Sequence, residues 1–283
     1  MALDPQQLSP QIPPRALVVF DIDGVVRDVS QSYRRAIADT VEHFTQGAYR
    51  PTLGDMDTLK AEGVWNNDWL ASQELIYRYW DRQGDRRRTE NPWPYAAIVD
   101  YFQRRYRGQQ LEDPQLWDGY ITQEPLLMQP GYLGQLAGAG VAWGFFSGAT
   151  RGSAEYVLRG RLGLEHPPLV AMGEAPDKPD PKGLYQVVVQ LEEELGLPPG
   201  LPVVYVGDTV ADMYTATQAQ SQRPGRVWRG VGVLPPHVQA TDPQNPEQQQ
   251  VQAAYGDRLI QAGAVAVLSS VMELTGDRLE SLL

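Results

Sequence analysis

Short apolar runs that each end on a polar, chemically capable residue constrain the fold of this chain more than any other feature. Residues 16–20 run into Asp21-Ile22-Asp23-Gly24, residues 141–146 into Ser147, and residues 202–206 into Gly207-Asp208. Runs this short, bounded by Pro and Gly, read as buried strands. Further short runs lie at 169–172, 227–233 and 264–268, and from residue 133 onward they alternate with helical patterns. Strands alternating with helices imply a parallel sheet joined by crossovers. The expected fold class is therefore α/β, with a Rossmann-like parallel sheet core. In an open sheet of that kind, ligands bind beyond the carboxyl ends of the strands, where the polar residues fall.

The stretch between the first two strands has a different texture. A helix is expected from Ser30 as N-cap through Tyr33, Ile37 and Phe44, stopped at Gly47. Thr52 caps a second, through Met56 and Leu59. Asn66-Asn67-Asp68 caps a third, through Leu75 and Ile76, and 95–106 forms a fourth after an Arg-rich loop at 83–94. The expected domains are a core of 16–26 and 120–283, a helical insert of 27–119, and a disordered tail of 1–15. The tail carries four prolines and lacks the basic start and apolar centre of a secretory signal. Residues 239–250, rich in Gln, are expected to be a loop.

Asp21 and Asp23 carry the chemistry. In an extended backbone, residues i and i+2 face the same side. Two carboxylates held that close repel, so a proton, a cation or a lysine must neutralise them. The chain has three lysines, Lys60, Lys178 and Lys182, and two of them fall in one Pro-rich segment around Lys178-Pro179-Asp180-Pro181. Two further carboxylates stand in Gly207-Asp208-Thr209-Val210-Ala211-Asp212, at the next strand end. Each feature has a plainer alternative. Asp-x-Asp-Gly is also a turn sequence, Ser147 an ordinary turn residue, and Asp208 and Asp212 helix caps.

As an ordered set, Asp21/Asp23, Ser147, Lys178 and Asp208/Asp212 resemble the four motifs of the haloacid dehalogenase (HAD) superfamily, and they span most of the chain. The resemblance implies a helical-cap phosphatase, with the insert as a mobile lid over the active site. It makes Asp21 the nucleophile and Asp23 the general acid and base. Ser147, Gly148 and Lys178 would bind phosphate, and Lys178 is preferred to Lys182 because the superfamily's lysine precedes Pro-x-Pro. Asp21, Asp23 through its backbone carbonyl, Asp208 and Asp212 would hold a cation, Asp212 directly or one shell out. All-oxygen ligands favour Mg²⁺. Arg27 at the hinge, with Asn66, Asn67 and Asp68 in the cap, are candidates for choosing the substrate.

The implied function is a Mg²⁺-dependent phosphomonoester hydrolase of a small phosphorylated metabolite, acting through an aspartyl-phosphate. One alternative is a sugar-phosphate mutase of the same fold, which would carry a hinge His where this chain has Tyr33. The other is a non-catalytic phosphometabolite-binding protein. Asp23 argues against carbon–halogen or carbon–phosphorus cleavage, because superfamily members with those activities lack it. The formal net charge of −11 and pI near 4.8 speak against nucleic acid or an anionic membrane as partner. Cysteine is absent, which excludes thiolate chemistry and suits a cytoplasmic location.

Overall fold

The computed structural model describes residues 12–65, 67–84 and 93–283. Most of the tail, Asn66 and most of the Arg-rich loop lie outside the described residues. In chain order, strand β1 (Ala16–Phe20) is followed by helices α1 (Tyr33–Phe44), α2 (Leu53–Lys60), α3 (Asp68–Arg82) and α4 (Tyr95–Tyr106). Then come α5 (Tyr132–Gly138), β2 (Val141–Phe146), α6 (Arg151–Leu158), β3 (Leu169–Val170) and α7 (Lys182–Leu195). The chain closes with β4 (Val203–Gly207), α8 (Val210–Gln222), β5 (Trp228–Val233), α9 (Pro246–Gln261), β6 (Ala264–Leu268) and α10 (Gly276–Glu280). Two compact units result, one of residues 1–28 and 126–283, the other of residues 29–125.

The first unit is built on a six-stranded sheet in the order β3-β2-β1-β4-β5-β6, with every neighbouring pair parallel. All five residues of β1 are inaccessible to solvent, as a central parallel strand covered on both faces requires. Its alternation divides the core in two. Ala16, Val18 and Phe20 pack with Leu133, Val157 and Leu158, whereas Leu17 and Val19 pack with Leu184, Val188 and Ala216. The sequence of strands leaves β1 in opposite directions toward β2 and β4. The gap between the carboxyl ends of β1 and β4 is thus the topological switch point, where a ligand crevice forms in such sheets.

The second unit is helical. Thr52 and Asp55 form a capping box at α2, and Asn67 accepts from the backbone N–H groups of Trp69 and Leu70 at α3. The rings of Tyr33 and Tyr106 pack at a tilt, with centroids 3.9 Å apart, and Arg34 pairs with Asp57 at 2.6 Å in its interior. Among the described residues no helix is long and apolar enough to cross a membrane.

Two expectations need correction. Ser30 does not cap α1; the helix starts at Tyr33, and the Ser32 hydroxyl is instead spent on the Glu124 carboxylate. The Gln-rich stretch is not a loop to residue 250, because α9 already begins at Pro246. Asn245 caps it with Pro246 in its first turn, and Tyr255 and Leu259 supply its buried face. Its glutamines face the preceding loop, where Gln248 accepts from the N–H groups of Thr241 and Asp242 and Gln252 from that of Ala240. Polarity there reflects loop capping rather than lack of structure.

Candidate active site

Lys178 lies at the centre of the site. Its ammonium nitrogen is 2.9 Å from Asp21 Oδ1 and 2.6 Å from Asp212 Oδ1, and the side chain is 2% exposed. It also sits 5.3 Å from the ring centroids of Phe146 and Tyr205, whose faces attract a cation. Burial opposes a charge on this lysine, but the Asp21 and Asp212 carboxylates outweigh it and hold the ammonium above its ordinary pKa. Lys182 is in a different setting: it opens α7, its side chain is 67% exposed, and it pairs with Asp180 at 3.6 Å.

The carboxylates around Lys178 differ from one another. Asp21 follows β1 directly and is buried. Burial pushes its carboxyl up to about 6; Lys178 counteracts this, and Asp212 and Asp23 add to it. Asp212 goes the other way. Burial would raise it, but Lys178 and the Thr209 donors hold it below the usual carboxylate range. Both of its oxygens are engaged: Oδ1 by Lys178 and the Tyr205 hydroxyl at 3.0 Å, Oδ2 by the Thr209 hydroxyl and backbone N–H. The helix-capping alternative for Asp212 therefore also holds, since it completes the capping box at the start of α8.

One carboxylate oxygen from each of Asp21, Asp208 and Asp212 lies within 4.8 Å of the other two, and all three residues are buried. An all-oxygen, buried set in which one member is forced toward protonation is the kind of cluster a hard divalent cation would relieve. The fit is reinforced by Gly24, whose φ is +77°. A Cβ at this position would fall 2.0 Å from Asp208 Oδ2, so only glycine lets the loop after β1 close onto Asp208. Gly24→Ala is expected to lose about 1–2 kcal/mol to the left-handed backbone alone and to displace Asp208. Chemical denaturation together with the Mg²⁺ response of the variant checks both parts.

The remaining candidates fall as follows. Ser147, at the end of β2, is 2% exposed, and its hydroxyl accepts from the Ala149 backbone N–H at 3.2 Å; Gly148 is next to it. Arg27, expected to meet substrate, is fully buried; its Nε donates to Asp23 Oδ1 at 2.7 Å. Its guanidinium is turned onto groups of the core, the Asp23 carboxyl and the Ser153 carbonyl, rather than toward solvent. Asn67 is occupied as the cap of α3, and Asp68 pairs with Lys60 at 2.6 Å; both belong to the helical unit. Tyr205 escaped the sequence reading. Its hydroxyl lies 3.0 Å from both Asp212 Oδ1 and the Phe146 carbonyl oxygen, so it joins the strand ends to the cluster. A tyrosine inside an otherwise apolar run was the available signal, because a buried hydroxyl demands a partner. Tyr255 of α9 acts similarly, donating to the Asp208 carbonyl at 3.0 Å.

A family model described as haloacid dehalogenase-like hydrolase matches residues 16–220. A curated relative from Phytophthora nicotianae, named imidazoleglycerol-phosphate dehydratase, is 29% identical over 261 residues. The match covers 90% of the chain but only 50% of that protein. A phosphonoacetaldehyde hydrolase-like protein from Oleispira antarctica superposes with a TM-score of 0.66 at 18% identity, over 97% of this chain and 94% of its own. CbbY from Rhodobacter sphaeroides, solved in complex with phosphate, gives 0.54 at 17% identity, over 91% and 95%. At these identities the two structures speak to the fold.

Proposed function

The chain belongs to the haloacid dehalogenase-like hydrolases, and on that footing we propose that it is a Mg²⁺-dependent phosphomonoester hydrolase acting on a small phosphorylated metabolite. The observation that carries this reading is the buried lysine flanked by the Asp21 and Asp212 carboxylates at the topological switch point, with Asp208 alongside.

In this reading an Asp21 oxygen attacks phosphorus and the bond from phosphorus to the alcohol oxygen breaks. Asp23 gives its proton to the departing alcohol. It then takes one from a water that attacks the aspartyl-phosphate, releasing inorganic phosphate and restoring Asp21. Lys178 balances negative charge on Asp21 and on the phosphoryl oxygens. Ser147 and the Gly148 backbone N–H stand at the end of β2 as phosphate donors. Asp21, the Asp23 carbonyl and Asp208 would hold the cation, which supplies charge neutralisation and polarisation of the phosphoryl group. Asp212, its oxygens already engaged, is assigned to holding Lys178 in place.

Phosphate release from a panel of small phosphomonoesters, with and without Mg²⁺, tests the activity. EDTA is expected to suppress release and Mg²⁺ to restore it. Mg²⁺ at about a hundredfold above its Kd should also stabilise the folded protein by about 2.7 kcal/mol, a melting shift on the order of 5 °C for a chain of this size. Asp208→Asn should remove that shift. An equal shift in the variant would take Asp208 out of the cation site.

A further inference from the structure

Arg27 is the largest fully buried side chain among the described residues. Removing a guanidinium from water is costly unless its partners are well placed, so its location requires a reason. The backbone brings it back onto the acidic motif. Gly24 N–H donates to the Arg27 carbonyl at 2.9 Å, Arg27 N–H to the Ile22 carbonyl at 3.2 Å, and Arg27 bridges to Leu126 on its other side. The side chain then reaches in two directions. Nε donates to Asp23 Oδ1 at 2.7 Å, and Nη1 donates to the Ser153 carbonyl in the first turn of α6 at 3.3 Å. Arg27 thereby joins the carboxyl of Asp23 to the helix that follows the Ser147 loop. Asp23 itself is 22% exposed at the side chain, whereas its anchor is wholly enclosed.

We propose that Arg27 is a positioning residue for Asp23: it fixes one carboxyl oxygen so that the other, Oδ2, is presented to the leaving alcohol and then to the attacking water. The inference rests on the acid–base role given to Asp23 above. A planar guanidinium suits the task because its donors are rigidly arranged and one can serve the carboxyl while another grips α6. A lysine has one flexible ammonium and cannot hold both in fixed geometry. Misplacing a reacting group by about 1 Å can cost on the order of 100-fold in rate, so the anchor matters even though it touches no substrate.

The test uses two esters that differ in their need for a proton. Glycerol 2-phosphate expels an alkoxide and needs acid assistance; 4-nitrophenyl phosphate expels a stable phenolate and does not. In folded Arg27→Met, steady-state release from glycerol 2-phosphate is expected to fall about 100-fold, mainly in kcat. On 4-nitrophenyl phosphate the variant should give a rapid nitrophenolate burst approaching one equivalent per site. Slow turnover follows, because phosphorylation of Asp21 proceeds while base-assisted hydrolysis lags. Arg27→Lys, which keeps the charge, should show the same division between esters with a smaller loss, and it carries the test if Arg27→Met fails to fold. Equal losses on both esters without a burst, or no loss on either, would overturn the proposal. Asp23→Asn is run alongside. If it shows no difference between the esters, the acid–base assignment of Asp23 has failed rather than the role of Arg27.

Discussion

Asp21→Asn is expected to reduce phosphate release by about 10³-fold or more while leaving the fold intact. The amide keeps the size of the side chain but cannot attack phosphorus. The loss should appear in kcat for every ester, whatever its leaving group, because each must form the same aspartyl-phosphate. Stability should hold or rise. Burial and the neighbouring Asp212 and Asp23 push the Asp21 carboxyl up to about 6, so the charged form is under strain near neutral pH in the absence of a cation, and a neutral amide relieves it. Rapid-quench trapping of an acid-stable covalent phosphate is a second readout, present in wild type and absent in the variant. Turnover retained within about tenfold would remove Asp21 as nucleophile.

Lys178→Met is expected to damage both folding and catalysis. The ammonium neutralises two buried carboxylates at 2.9 and 2.6 Å. Removing one partner of a buried ion pair typically costs about 3–5 kcal/mol, because the other charge is left uncompensated. At roughly 2–4 °C per kcal/mol this lowers the melting temperature by on the order of 10 °C. The deficit should depend on pH with a definite sign. In wild type Asp212 is held below the ordinary carboxylate value of 3.8, so the stability it contributes is present above that value and lost only below it. Wild type also gains stability as pH falls, through Asp21 at about 6, but without Lys178 burial and mutual repulsion raise both carboxyls further, so the folded variant takes up more protons and its stability grows more steeply as pH falls. The gap between the two proteins should therefore narrow from pH 8 to pH 5. Urea denaturation in EDTA measures it, and a gap that stays constant over that range would mean Lys178 does not neutralise these groups.

Much of the core was legible in the chain because its signals are local. A run such as 16–20 is apolar at every position, which suits only a strand covered on both faces. The caps at Thr52 and Asn67 and the stop at Gly196 announce themselves within a few residues. Helix α9 was hidden for a related reason: its first turns are polar, and only Tyr255 and Leu259 reveal its inner face. Composition suggested a loop, while the Asn245-Pro246 pair, a strong start signal, pointed to a helix.

The amino-acid sequence alone determined the parallel α/β core, the helical insertion after its first strand, and the short set of acids, serine and lysines from which a site could be built. The tertiary structure decided which of them meet. It buried Lys178 between Asp21 and Asp212 and left Lys182 in solvent, engaged both oxygens of Asp212, drew Tyr205 into the cluster, and turned Arg27 inward onto Asp23. Strand and helix patterns are set by neighbours in sequence. The partner of a buried charge is set by the low-dielectric packing of groups that are distant in the chain, where burial and ion pairing must balance together.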